Sequence, residues 1–222
     1  MRKFNKKIMF ATWSCHNKYY HQYQLWDFPL RKIFKKVITF DPQEVLYNYG
    51  KEEMNRRFLE TIEKEKPDYL FILLIYNEFY LDTLINIKKI SPKTKVINFN
   101  GDDEVMFYDY TLPFFPIIDY FFITQPGFVE KYKKHGKKAF LMLGADPNVF
   151  KPLNLTKKYD VTFIGTAKVD RAEYIRYLVN NGISVRVFGG GWEQYPDMDK
   201  FWGGRISDED FKKVLNESKI NI

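Results

Sequence analysis

Three stretches in the second half of the chain combine glycine with arginine or small polar residues, a mixture suited to holding phosphate. They are Gly165-Thr166-Ala167 leading to Asp170-Arg171, Phe188-Gly189-Gly190-Gly191-Trp192, and Gly203-Gly204-Arg205-Ile206-Ser207. Glycine lets an anionic oxygen approach the main chain, and free N–H groups at a helix start favour it. Arg171 or Arg205 adds charge-assisted hydrogen bonds to a diphosphate. Any one of these stretches reads equally well as a simple turn; three in one half-domain point towards binding.

The first half offers a different chemistry. Asn98-Phe99-Asn100-Gly101-Asp102-Asp103-Glu104 clusters carboxylates that can act as a general base, hold acceptor hydroxyls or bind a divalent metal. The competing reading is a turn with an aspartate N-cap. No second carboxylate or histidine cluster stands nearby in sequence, which weakens the metal reading. His16, in Trp13-Ser14-Cys15-His16-Asn17, is placed to orient a substrate hydroxyl or phosphate, or is a loop residue without a role. Adjacent loop residues rarely form a nucleophile–base pair, so Cys15 and His16 are not read as one. His135, beside Gly136, reads as a charge at a helix C-terminus. The run Thr12-Trp13-Ser14-Cys15 carries no glycine, so the dinucleotide fingerprint is missing where it is required.

Chemistry at these loops needs elements to position it. Short apolar runs at Ile8–Thr12, Val37–Phe40, Tyr69–Ile75, Val96–Phe99, Tyr120–Thr124 and Ala139–Leu143 alternate with helical patterns at Phe28–Lys36, Lys51–Lys66, Phe79–Ile90 and Phe128–His135. Leu70 to Ile75 is apolar at every position, as a parallel strand covered on both faces must be. Met54, Phe58, Leu59 and Ile62 recur at helical spacing and give Lys51–Lys66 an inner face. This alternation predicts a doubly wound α/β fold, with ligands at the C-terminal ends of the strands.

A boundary falls near Phe150–Tyr159, which divides the chain into domains 1–152 and 153–222. The strand pattern then restarts at Tyr159–Gly165. Asp170 with Glu173 predicts a capping box opening a helix that stops at Gly182; Ile183–Phe188 is the next strand. Ser207 with Asp210 caps a further helix, with Phe211, Val214 and Leu215 inward, and Ile220–Ile222 starts another strand. Two strands and a stub bury little surface, so the second domain is expected to be incomplete.

Composition bounds the rest. In 222 residues, 45% hydrophobic and 18% aromatic content supports packed cores and excludes composition-driven disorder. The net charge of +7 invites an anionic partner, but the lysines (Lys35-Lys36, Lys88-Lys89, Lys133-Lys134, Lys212-Lys213) read as spread over helix faces. No nucleic-acid-reading module is present. One cysteine suits a reducing compartment, and no apolar run reaches the ~18 residues of a membrane span. A cytoplasmic location is expected.

The stretch Tyr159–Thr166, Arg171, Val187–Trp192 and Gly204-Arg205-Ile206-Ser207 through Ser218–Ile222 resembles the CgeB-like (spore maturation protein CgeB) glycosyltransferases. Gly101-Asp102-Asp103 and Gly144-Ala145-Asp146-Pro147-Asn148-Val149-Phe150-Lys151-Pro152 are similar to that family's first domain and its crossover into the second. The resemblance covers the chain from about Phe71 onward. It implies a GT-B fold of two Rossmann-like domains holding a nucleotide-diphosphate sugar as donor, with no other cofactor and no resident metal. By that likeness Gly165, Thr166, Phe188, Gly189 and Gly190 meet the diphosphate and ribose, with Arg171 beside them. Arg205 and Ile206 meet the base, and Asp102, Asp103 and His16 face a saccharide, protein or lipid acceptor. A carboxylate-bearing motif and a closing helix of that family have no counterpart before Ile222, so the chain as written is expected to be incomplete for turnover.

Two other classes remain open: a non-catalytic nucleotide-sugar-binding or coat and envelope assembly protein, and a metal-dependent GT-A type transferase using Asp102-Asp103-Glu104. The basic balance leaves room for peripheral contact with an anionic membrane, while specific nucleic-acid recognition is not expected.

Overall fold

A strand that is apolar at every position needs cover on both faces, and Tyr69–Ile72 has it: Leu70, Phe71 and Ile72 are all buried. The computed structural model describes residues 3–14, 23–74, 77–142, 144 and 146–222. The chain divides into two units, Met1–Leu143 and Gly144–Ile222.

The first unit is built on six parallel strands: β1 (Phe4–Ala11), β2 (Phe34–Phe40), β3 (Tyr69–Ile72), β4 (Lys95–Asn100), β5 (Tyr120–Ile123) and β6 (Lys138–Leu141). Their order is β2-β1-β3-β4-β5-β6, so the winding reverses between β1 and β3. Helices α1 (Phe28–Ile33), α2 (Pro42–Tyr49), α3 (Lys51–Glu65), α4 (Leu81–Ile90), α5 (Asp103–Met106) and α6 (Val129–Lys134) connect them. Strand periodicity splits β1 between two cores. Met9 and Ala11 pack with Met54, Phe58 and Ile62 of α3, and with Leu84 and Ile87 of α4. Ile8 and Phe10 face the other way, against Phe71, Leu73 and Trp26.

The second unit carries β7 (Tyr159–Ile164), β8 (Val185–Phe188) and β9 (Ser218–Asn221) in the parallel order β8-β7-β9, with α7 (Val169–Asn180) and α8 (Asp208–Glu217). Its start therefore repeats the winding of the first unit. The expected terminal stub is a paired strand, with Val161 opposite Ile220 and Thr162 opposite Asn221. Val161, Ala172, Ile175, Val187, Trp192 and Met198 form its core.

Several sequence expectations need correction. The helix expected over Phe28–Lys36 stops at Ile33, because Phe34 turns extended and pairs with Phe4; strand pairing overrides the helical pattern. Lys35-Lys36 accordingly lie on a strand and not on a helix face. Helix α2 was not anticipated, although Asp41 caps it by accepting from the N–H groups of Gln43 (3.1 Å) and Glu44 (3.0 Å), with Pro42 pre-set in the first turn. Asp170 is not an N-cap. The Ala172 N–H already bonds the Lys168 carbonyl at 2.9 Å, so the first turn closes upstream and Asp170 sits inside it. Ser207 does cap α8: its Oγ accepts from the Asp210 N–H at 3.1 Å and donates to the Asp210 carboxylate at 2.7 Å. Among the described residues, no helix is long and apolar enough to cross a membrane.

Candidate functional site

The three glycine-bearing stretches of the second unit are one structure. The Gly165 N–H bonds the Phe188 carbonyl (2.9 Å), the Ala167 N–H bonds the Gly190 carbonyl (2.9 Å), and the Gly189 N–H bonds the Gly204 carbonyl (3.0 Å). All three lie just beyond the C-terminal ends of β7 and β8, the edge at which ligands bind in open parallel sheets. Gly189 is required there. Its φ is +124°, and a Cβ at that position would stand 2.4 Å from the Gly165 carbonyl oxygen. The N–H groups of Thr166, Gly190, Gly204, Arg205 and Ile206 have no hydrogen-bond partner among the described residues, so main-chain donors remain free around these turns for an anionic ligand.

Two arginines flank this cradle. Arg205 is exposed and its guanidinium lies 3.4 Å from Glu193, a loose ion pair. A Cβ on Gly190 would come within 3.1 Å of that guanidinium, so Arg205 lies directly over the turn. The Glu193 carboxyl is held below the usual range by its own backbone N–H and, less strongly, by Arg205. Arg171 donates to the Thr166 carbonyl at 2.7 Å and lies over the Phe163 ring. The Phe188 side chain is buried, packed under Gly203 and against Tyr159; its carbonyl is the part that belongs to the cradle.

Two residues without an assigned role in the sequence reading pin the turns. The indole N–H of Trp192 donates to the Gly165 carbonyl, and that of Trp202 to the Gly189 carbonyl, each at 3.0 Å. Trp192 is fully buried. The available signal was an aromatic beside each glycine run, at Gly191-Trp192 and Trp202-Gly203.

In the first unit, the corner after β4 separates its two aspartates. Asp102 is exposed. Asp103 is 1% exposed, and its Oδ1 accepts from Asn100 Nδ2 and from the Tyr132 hydroxyl, both at 2.7 Å. Asn100 also donates to Thr111 Oγ1 at 2.6 Å, while Asp103 Oδ2 has no partner among the described residues. Burial pushes the Asp103 carboxyl above the usual range, against the opposing pull of Tyr132 and Lys131; burial and Asp103 together raise the Tyr132 phenol. As placed, Asp103 holds the corner together, and Asp102 is the member of the pair that meets solvent. The turn reading is met in position only: Asp102 stands at the start of α5 but makes no side-chain cap bond. His135 ends α6, with its ring against Phe107 and Phe115. His16 and Cys15 lie outside the described residues. Among the described residues, no group of three or more His, Cys, Asp or Glu side chains is placed to hold a metal ion.

Neither protein-family models nor curated proteins give a match to the chain. Solved structures do. UDP-GlcNAc 2-epimerase from Methanocaldococcus jannaschii aligns over 97% of this chain and 77% of its own, at 9% identity and a TM-score of 0.56. The lipopolysaccharide outer core galactosyltransferase WaaB, in its apo form, aligns over 97% of this chain and 73% of its own, at 12% identity and a TM-score of 0.52. The fold is GT-B-like. A glycosylation-associated protein (Gap123) complex from Streptococcus agalactiae also matches 77% of this chain at 12% identity and a TM-score of 0.49; the chain spans 41% of that relative's length. At these identities the likeness establishes architecture, namely Rossmann-like parallel α/β units in series.

Proposed function

We propose that the chain serves a glycosyltransferase of GT-B type, CgeB-like in its motifs, which moves a sugar from a nucleotide-diphosphate sugar to a saccharide, protein or lipid acceptor. The observation that carries this reading is the cradle formed by Gly165, Gly189, Gly190 and Gly204. It joins close-approach backbone, N–H groups at Thr166, Gly190, Gly204, Arg205 and Ile206 that have no partner among the described residues, and two arginines at the ligand edge of a parallel sheet. In the transfer, the bond from the anomeric carbon to the diphosphate breaks and negative charge grows on the leaving oxygens. Fixed N–H dipoles stabilise that charge with little reorganisation, and the Arg171 and Arg205 guanidiniums add charge-assisted bonds on turning to the diphosphate. Asp102, exposed at the corresponding edge of the first unit, is the carboxylate assigned to the acceptor, with His16, a few residues after β1 in sequence, as its proposed companion.

The galactosyltransferase and the epimerase among the structural relatives are both, by name, enzymes of sugar metabolism, and the same cradle would serve either reaction type. Titration of the chain with uridine and guanosine diphosphate sugars, followed by product analysis, tests the reading. The expected result is saturable binding that Arg205→Ala weakens about tenfold, the loss of one charge-assisted contact worth roughly 1.4 kcal/mol. Absence of binding, or binding indifferent to Arg205, would refute it. Release of an isomerised nucleotide sugar would assign epimerisation, and binding without turnover on any acceptor would assign a binding module.

A further inference from the structure

All strands of a parallel sheet start along one edge, and in the first unit that edge is basic. Lys35 is the second residue of β2, Lys66 and Lys93 lie just before β3 and β4, and Lys138 begins β6; Lys89 and Lys134 lie in the last turns of α4 and α6 at the same edge. These six are exposed and have no carboxylate partner among the described residues. The neighbouring Lys6, Lys7, Lys36, Lys88 and Lys95 are paired with Asp68, Glu65 or Asp119 and so add little. The C-termini of α1, α3, α4 and α6 point to this edge and contribute about −0.5 each, or about −2 together. The six lysines outweigh them, so the edge is a positive face and the cations exceed what helix dipoles alone would call for. The expectation of charge spread over helix faces is therefore refined: Lys35-Lys36 lie on β2, and with Lys88-Lys89 of α4 and Lys133-Lys134 of α6 they come from distant segments to one edge.

We propose that this edge docks the first unit on an anionic phospholipid surface. Lysines predominate there, point charges suited to a fluid array of headgroups rather than to the fixed forked contacts arginine makes with nucleic acid. The Phe4 ring, 61% exposed at the first residue of β1 and next to Phe34, stands among them as an apolar group able to enter the interface. A hollow of about 270 Å³ between the starts of β5 and β6 opens at the same edge, with Lys137 and Lys138 on its rim and the Lys88–Asp119 pair within it. The proposal stands independently of the sugar-transfer reading.

Co-sedimentation with vesicles tests it. The unmodified chain is expected to bind vesicles of about one-third phosphatidylserine and not pure phosphatidylcholine, and to be released by salt near ~0.5 M. Triple reversal of Lys35→Glu, Lys66→Glu and Lys93→Glu should lower partitioning at least about tenfold. The same net change in the second unit, Lys151→Glu, Lys168→Glu and Lys200→Glu, should lower it less than about twofold. The salt arm uses the native chain, so it reads out even if a variant misfolds. Equal binding to neutral and anionic vesicles, equal losses in the two triple variants, or retention on single-stranded RNA with no vesicle binding would each overturn the proposal.

Discussion

Gly189 and Asp103 hold the two candidate edges together in opposite ways, one by what it lacks and the other by what it buries. At Gly189 both the left-handed backbone and the Gly165 oxygen 2.4 Å from a would-be Cβ forbid a side chain. Gly189→Ala is therefore expected to cost about 2–4 kcal/mol in urea denaturation, well above an ordinary surface change. At Asp103 the folded carboxyl titrates above its unfolded value. As pH rises past about 4, the unfolded chain releases this proton first, so the folded state loses stability relative to it; the loss is complete above the folded pKa. Asp103→Asn cannot ionise. The variant's stability minus that of the native chain is expected to grow from about pH 4 to pH 7, and denaturation midpoints across that range would show it. A constant difference would show that Asp103 titrates normally. The glycine turns and Arg205 were legible because phosphate-suited residue types recur there. The sequence could not separate Asp102 from Asp103, since which of two adjacent carboxylates turns inward depends on Tyr132 and Asn100, brought in by α6 and β4.

At the scale of elements, legibility followed burial. Strands such as β3 and the inner face of α3 were readable because each position records whether it meets the core. Boundaries that tertiary pairing decides were not. The Phe34 transition depends on Phe4, thirty residues earlier in the chain, and α2 is short enough that its Asp41 cap carries the signal rather than any periodicity. Caps offer the simplest check on element-level reasoning. Ser207 both accepts from and donates to Asp210, so Ser207→Ala should destabilise the chain by about 1 kcal/mol. Asp170→Ala, inside a first turn without capping bonds, should cost only a few tenths. Thermal melts of the two variants side by side distinguish these expectations; equal losses would show that Asp170 caps α7 as Ser207 caps α8.

For the molecule as a whole, sequence alternation was enough to indicate the doubly wound architecture, but net charge alone concealed its distribution. Nearly all of the +7 excess belongs to the first unit, where cations gather at the strand starts. Acidic residues gather at the other edge, among them Asp41, Asp82, Asp102 and Glu104. Such a separation gives the first unit an electric moment along its strands. Long before any contact, an anionic surface within about one Debye length exerts a torque on that moment and turns the strand starts towards itself. Arrival is thereby made non-random. On the docking proposed above, the corner bearing Asp102 would lie on the far side, facing the aqueous phase, and the acceptor proposed for that corner would have to approach from solution or extend well clear of the bilayer.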